Sequence, residues 1–357
     1  MQPDRTMKCA SADDAPALPT GCSFDAPDWY RLARCWFPVA RSCDVDRAPC
    51  AARLLDEPLV LYRIAGNVVV ARDACPHRGV PLSIGHADEG GIRCAYHGLL
   101  FGPAGRCAEI PSQPGRPGPE RLQLHTYPAL ERFGLIWTCL WPDEGAAPDL
   151  PDVPLWDAPR VNRTVCPALR VACFAGRQLE GFIDVAHFAW VHAATFADPA
   201  QRDVPDYRVT EHERGFTADY VSTVGNYSRA SGLHAPTGFQ WLRHFEVHLP
   251  FCATLTIHFP EDERRVVGNF ATPASALETH LFAPIVQTFN LDQPAEQIHA
   301  FNAQVFEEDR RLAETQRPRN LPLDVRAEAH IPADRSALAY RRGLSRLQYG
   351  RFFEDRP

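Results

Sequence analysis

Apolar and polar positions divide the chain into regions of different character. Residues 1–28 carry few large apolar side chains and many Pro, Ala, Ser and Asp, which predicts a flexible or loosely docked tail. The first ordered element is expected over "WYRLARCWFPVA", Trp29 to Ala40. Short alternating runs follow. "EPLVLYRIAGNVVVARDAC" reads as two strands with a hairpin turn at "AGN", and "GLLFGPAGRC" and "FGLIWTCLW" read as further strands. Residues 29–145 therefore form an expected all-β unit. "PDEGAAPDLPDVPLWDAPR" is dense in Pro, Asp and Ala and marks a boundary, which leaves 146–357 as a second domain.

The second part mixes strand-like runs, at 216–225, 239–259, 264–271 and 277–290, with helical patterns. Helices are predicted near "GRQLEGFIDVAHFAWVHAATF", over "DQPAEQIHAFNAQVFEEDRRLAETQ" with Asp292 as its N-cap, and over "ADRSALAYRRGLSRLQYG". The class is α+β. In the second of these helices Ile298, Phe301, Val305, Phe306 and Leu312 form one apolar stripe at about 100° per residue. Asp309 falls within roughly 35° of the centre of that stripe and Glu308 about 65° from it, whereas Glu307 points the opposite way. A carboxylate on a buried stripe is costly unless it is paired or bound to metal. Asp309 is thus either a metal ligand or a core residue bonded to Arg310 or Arg311.

Composition narrows the function classes. The 357 residues are 45% apolar, enough for a real core, and the formal charge of −7 leaves no basic surplus to meet the phosphates of a nucleic acid. The first residues contain no apolar signal-like stretch, and no run reaches the eighteen or so apolar residues of a spanning helix. A cytoplasmic location is the expectation. There the twelve cysteines need not pair, and those clustered with histidine read as metal ligands.

One such cluster is "CPHRGVPLSIGHADEGGIRCAYHG", Cys75 to Gly98. Cys75-x-His77 and Cys94-x₂-His97 offer two thiolates and two imidazoles. Structural zinc sites usually space their paired ligands two to four residues apart, and Cys-x-His is tighter than that. The pattern suits two loops that share a [2Fe–2S] cluster, thiolates on one iron and imidazoles on the other, which raises the cluster's potential. His86 and Cys107 lie off the pattern and read as a surface histidine and a buried thiol.

A second constellation is "EGFIDVAHFAWVH", with Glu180, Asp184, His187 and His192. Asp184 and His187 are three apart and would share a helix face. His192 lies five beyond His187, a rotation of about 140° on an unbroken helix, so the helix must end, kink or bulge between them. Two histidines and a carboxylate from a separate helix, Asp309, would make the facial triad of non-haem Fe(II) enzymes.

"CPHRG" and "CAYHG" resemble the Rieske iron–sulfur motif. Asp-x₂-His-x₄-His followed by a distant Asp resembles the catalytic domain of the Rieske non-haem iron oxygenases. The likeness runs from about residue 29 to 350. "CWFPVA", "FIDVAHFAWVHAATF" and "FEEDRRLAETQ" are most similar to the homotrimeric N- and O-demethylases of methylxanthines, vanillate and dicamba. The resemblance implies a helix-grip (START/Bet v1-like) catalytic domain with an antiparallel sheet and long helices. It implies Cys75, His77, Cys94 and His97 as cluster ligands, and His187, His192 and Asp309 as ligands of a mononuclear iron. Asp184 would bridge the Rieske histidine of one subunit to an iron-bound histidine of the next in a head-to-tail homotrimer. Glu180 stands where many relatives carry Asn, and a contact to Asp184 is its simplest reading.

The implied activity is hydroxylation or oxidative demethylation of a small aromatic or heterocyclic substrate, with O2 as co-substrate. Ring dihydroxylation, natural-product hydroxylation and a pure electron-transfer module are the alternatives. No G-x-G-x-x-G after a strand and no C-x₄-C-x₂-C signature is present, so electrons are expected from a separate NAD(P)H-dependent reductase of flavin or ferredoxin type. Phe182, Phe188, Trp190, Phe196, Trp241 and Phe289 are candidate apolar pocket residues. Asn226, His244, His248 and Asn290 are candidate polar ones.

Overall fold

A nine-stranded antiparallel sheet forms the centre of the second half of the chain. A computed structural model of the protein describes residues 15–46, 48–225 and 235–355. Along the sheet the strands run Asn162–Val165, Pro284–Gln287, Arg264–Ser275, Cys252–His258, Trp241–His248, Gly215–Ser222 and Arg208–His212. Leu169–Val171 joins through Glu278–Phe282, which also pairs with Arg264–Ser275. The run expected as one strand over 239–259 is two. Leu249, Pro250 and Phe251 turn the chain, and His248 pairs with Cys252. Strict alternation in Trp241–His248 buries Trp241, Arg243, Phe245 and Val247 and turns the intervening residues outward.

Five α-helices are described: α1 (Ala26–Leu32), α2 (Ala175–Ile183), α3 (Phe188–Val191), α4 (Ala295–Ala313) and α5 (Arg335–Arg346). α2 packs on the strand Arg264–Ser275 and against α4 and α5. Ile298 and Phe306 of α4 are buried with Val267, Leu281, Ala283 and Ile285 of the sheet, the apolar grip that the periodicity of α4 predicts. Leu312, placed on the same stripe, is half exposed because the last turn of α4 runs beyond the sheet. The N-cap of α4 is Pro294 and not Asp292, and it makes no side-chain cap bond.

The first half is built of small antiparallel sheets. One orders Cys50–Leu54, Glu57–Ile64, Asn67–Arg72 and Thr126–Tyr127, and another orders His86–Asp88, Gly91–Arg93, Leu100–Phe101 and Cys107–Glu109. The hairpin at "AGN" turns through Ala65 and Gly66, both at positive φ. A third sheet, Phe37–Arg41 with Leu135–Thr138 and Ala129–Arg132, lies beside the large one. Leu55 and Asp56 donate their backbone N–H groups to Pro273 and Ala274 at 2.8 and 2.9 Å, and so tie the two halves together.

The first ordered helix starts at Ala26, before the expected Trp29, and the strand Phe37–Arg41 follows. Phe24 is buried, and the Asp28 carboxylate accepts the N–H groups of Gly350 and Phe352 at 2.8 Å each. The stretch before Trp29 is thus pinned to the C-terminal segment. "GRQLEGFIDVAHFAWVHAATF" divides into α2 and α3. Asp184 ends α2 in an extended conformation and accepts the N–H of Ala186 at 2.6 Å and of His187 at 3.1 Å. A side chain that satisfies its neighbours' backbone in this way competes with helix continuation. Asp184 and His187 therefore lie across a break and not on one helix face.

Candidate active site

Cys75–Val80 and Cys94–Leu99 fold as two copies of one loop. In each, the cysteine N–H bonds the carbonyl five residues on, at 2.8 and 2.9 Å, and the glycine N–H returns to the cysteine carbonyl, at 2.8 and 3.0 Å. Gly79 and Gly98 take positive φ (72° and 68°), a conformation that side chains disfavour. Both thiols are buried, and both histidines are exposed with ring centroids 4.7 Å apart. Burial raises the Cys75 thiol; the His77 N–H opposes this, and the neighbouring Cys94 thiol adds to it. A buried thiol pair of this kind is a poor anion by itself and a good ligand for a cation that replaces its protons.

The donor set distinguishes a cluster from a zinc clip. Four ligands about 2.0–2.3 Å from one zinc would place every donor within about 4 Å of the others. Among the described residues only His187, His192 and Asp309 bring three such atoms within 4.8 Å of one another. The thiol pair and the imidazole pair do not share a single centre. This fits a two-iron cluster with a thiolate end and an imidazole end.

His187 and His192 flank the single turn α3, as N-cap and C-cap. This break resolves the five-residue spacing. Their Nε2 atoms lie 3.1 Å apart. Asp309 of α4 brings Oδ1 to 3.1 Å from His192 Nε2 and 3.5 Å from His187 Nε2. Three ligands about 2.1 Å from one ion and at right angles would be about 3.0 Å apart, so this triangle suits one face of an octahedral metal. Arg310 and Arg311 pair with Glu307 and Glu314, which leaves Asp309 to the histidines.

Each histidine also meets a carboxylate on its other nitrogen. His192 Nδ1 lies 2.8 Å from Glu308 Oε2, and Thr195 Oγ1 donates to the same oxygen at 2.9 Å. His187 Nδ1 lies 3.4 Å from Asp184 Oδ1. A carboxylate can only accept, so it draws the ring proton to Nδ1 and leaves the Nε2 lone pair facing inward. Burial alone would raise the Asp184 carboxyl, but the hydrogen bonds it accepts from His187 and Ala186 help to outweigh it and lower the pKa. Glu308, further from the centre of the α4 stripe than Asp309, reaches the outer nitrogen of His192.

Glu180 does not contact Asp184. It is buried, and Arg341 grips its carboxylate at 2.6 and 2.9 Å while Arg177 donates at 3.1 Å. Glu328 closes this four-member network through both arginines.

An apolar cavity opens onto the three converging ligands. Phe182, Phe188 and Phe196 line it, with Leu255, Ile257, Val267, Phe301 and Phe306. The other pocket candidates lie elsewhere. Trp190 is 64% exposed, because α3 is too short to carry both its faces inward. Trp241 and Phe289 pack with Phe259. His248 faces Asp149, His244 bonds Asp219 on the outer face of the sheet, and the Asn290 carbonyl caps Asn162 and Gln287. Asn226 lies outside the described residues. A lining residue missed by the sequence reading is Arg265, two positions from Val267 on a strand buried on both faces, so that no alternation in "RRVVGNF" singles it out.

Comparison with known proteins finds relatives of both parts of the chain. The Rieske [2Fe-2S] domain family matches residues 35–128, and the vanillate O-demethylase oxygenase C-terminal domain family matches residues 171–348. Methylxanthine N1-demethylase NdmA of Pseudomonas putida is 28% identical over 328 residues, 89% of either chain. Dicamba O-demethylase, oxygenase component, of Stenotrophomonas maltophilia is 35% identical over 175 residues, 48% of this chain and 49% of that one. The solved structure of Pseudomonas putida CBB5 NdmA with caffeine superposes with a TM-score of 0.77 at 26% identity, over 90% of this chain and 92% of that one. Relatives are named as parts of larger systems, an "oxygenase component" or a "monooxygenase system iron-sulfur subunit". A Rieske domain followed by a vanillate-demethylase-type catalytic domain makes this chain a member of the Rieske non-haem iron oxygenases, and its place in that family is the terminal oxygenase.

Proposed function

We propose that His187, His192 and Asp309 hold the mononuclear Fe(II), that Cys75, His77, Cys94 and His97 hold the Rieske cluster, and that Asp184 carries electrons between them across a subunit boundary. The convergence of three ligating atoms beside an apolar cavity is the observation that carries this reading. When bound, the cluster supplies electrons and the lone iron supplies oxygen activation. The residues of the chain do the rest. Glu308 and Asp184 fix the proton of each histidine on Nδ1. The phenylalanine walls exclude water and lay a flat ring against the open face of the triad.

A head-to-tail homotrimer fits the two exposed edges. His77 and His97 face outward beside Tyr96, 62% exposed, and the Asp184 side chain is 36% exposed at the break that precedes α3. The exposed Tyr96 packs on His97, and aromatic residues of this kind are enriched at interfaces. A heterologous contact that closes into a ring would cover both at once. We assign 29–145 to the Rieske domain and 146–357 to the catalytic domain; of the expected tail 1–28, the part from Phe24 to Asp28 is pinned to the C-terminal segment. We place the enzyme in the cytoplasm with a separate NAD(P)H-dependent reductase.

The proposed reaction is hydroxylation or oxidative demethylation of a small aromatic or heterocyclic substrate. Relatives named for methylxanthine, vanillate and dicamba demethylation favour attack on a methyl group. The test is purified trimer with a matched reductase, NAD(P)H and methylated arenes or heterocycles, with formaldehyde release as the readout. About three irons per chain are expected, two in the cluster and one alone. Diols in place of formaldehyde would make it a ring dihydroxylase. Two irons per chain and no oxidised product from any substrate would reduce it to an electron carrier.

A further inference from the structure

Two cavities meet at one side chain. The apolar cavity at the triad and a second, polar one beside it have a single lining residue in common among those described, Phe196. Asp198, Gln201 and Thr223 line the second, together with Trp241 and Phe239, whose rings meet edge to face at 5.0 Å. Its free volume is about 260 Å³, against about 60 Å³ for the apolar cavity. Gln201 and Thr223 are exposed, so the polar chamber communicates with solvent, whereas Phe196 is buried.

The walls of the apolar cavity differ in rigidity. Phe182 stands on α2, Phe188 on α3, Phe301 and Phe306 on α4, and Leu255, Ile257 and Val267 on strands of the large sheet. Phe196 is the one apolar lining residue carried by a turn. That turn is anchored through its backbone. Thr195, Phe196 and Ala197 donate their N–H groups to the His192 carbonyl at 3.0, 3.1 and 3.0 Å, and Thr195 Oγ1 donates to it at 3.2 Å. The Phe196 ring lies close to parallel with the His192 ring, centroids 4.7 Å apart at 29°, and meets Phe188 edge-on at 5.7 Å. Aromatic contacts of this kind are individually modest. Rotation about the side-chain torsions of Phe196 therefore opens this wall while the backbone that carries His192 stays in place.

A substrate longer than one ring has no other wall to displace, because the rest belong to packed helices and strands. We propose that Phe196 is the movable partition between the reaction chamber and an outer polar chamber, and that it sets the length of substrate the enzyme accepts. A single ring with short substituents fits between Phe196 and the triad. A longer arm binds only with Phe196 turned aside, and its end then lies among Asp198, Gln201 and Thr223, which favours an uncharged hydrogen-bonding group. This rests on the oxygenase reading above and adds a specificity residue to it. With the ring in place, water in the outer chamber is kept from the triad.

The test uses the metal-loaded enzyme and methoxybenzenes that carry, opposite the methoxy group, alkyl arms of increasing length ending in methyl or in hydroxyl. Binding is read as a dissociation constant and as a ligand-dependent rise in melting temperature, with no turnover required, and the ratio of short-arm to long-arm affinity is compared between variants. The unaltered enzyme should bind short arms on the order of 10-fold more tightly than long ones. Phe196→Ala should bring that ratio near unity, and Phe196→Leu should fall between. In Phe196→Ala a long arm ending in hydroxyl should bind more tightly than one ending in methyl. Equal binding of all lengths by the unaltered enzyme overturns the inference. So does a panel in which nothing binds, a length limit that survives both substitutions, or equal binding of the two arm ends in Phe196→Ala. Loss of the mononuclear iron from both variants overturns it as well, since the ring would then support His192 and divide nothing. An enzyme that shows the limit and its relief but oxidises nothing keeps the partition and loses the oxygenase; one that demethylates every arm length alike does the reverse.

Discussion

Glu308 Oε2 lies 2.8 Å from His192 Nδ1, while the next residue, Asp309, reaches the opposite nitrogen of the same ring at 3.1 Å. Consecutive carboxylates on α4 thus hold one imidazole from both sides, one positioning it and one sharing its proposed metal. Asp309→Ala should lose the mononuclear iron and keep the visible colour of the cluster. Glu308→Ala should keep the iron but weaken its hold by about 10–100-fold. Iron content against added chelator reads both. The opposite assignment, with iron lost on Glu308→Ala and kept on Asp309→Ala, would show the two roles to be exchanged.

Asp184→Asn keeps an oxygen that can accept the Ala186 and His187 N–H groups, so the break between α2 and α3 should persist. Both metals should remain. Turnover should collapse, and a pre-reduced cluster should no longer discharge when substrate and O2 are added. Stopped-flow absorbance follows that discharge; an undiminished rate would remove Asp184 from the electron path.

Cys75→Ala should bleach the visible absorption and leave about one iron per chain. The triad shares no side chain with the Rieske loops, so its iron should survive. Loss of both metals together would mean that the two centres fold as one unit.

Glu180→Ala removes the more buried of the two carboxylates that hold Arg341 and Arg177 and leaves them with Glu328. Breaking a buried ion pair from one side typically destabilises by about 3–5 kcal/mol. A drop of several degrees in melting temperature is expected, with iron content and colour unchanged at lower temperature. Glu180→Ala paired with Arg341→Met should lose less than the two single changes summed, because the orphaned charge goes with it.

Some of this was legible before any coordinates. The Cys/His loops are named by residue type and spacing, because soft thiolates and imidazoles at these intervals have few other uses. The 3.6-residue period of α4 carried Asp309 toward the stripe of Ile298 and Phe306. Other features were not legible for a physical reason. Where α2 stops depends on Asp184 capturing two backbone N–H groups, a choice the apolar pattern does not record. Trp190 reads as a pocket residue on a continuous helix and turns to solvent once the helix is a single turn. Glu180 finds arginines about 160 positions away at Arg341, a contact that only the tertiary fold creates. Arg265 was not legible either: its strand is buried on both faces, so no alternation marks the side on which the cavity lies.

The two Rieske loops bury their sulfur ends and leave their imidazole ends bare. A reduced cluster held this way is insulated on one side only, and dissolved oxygen reaches the same edge that a neighbouring chain would cover. In the proposed trimer, docking would be electrical shielding as well as wiring. Dilution below the point where chains separate should first appear as uncoupling, with reductant consumed and hydrogen peroxide released without product, while every individual chain is still folded.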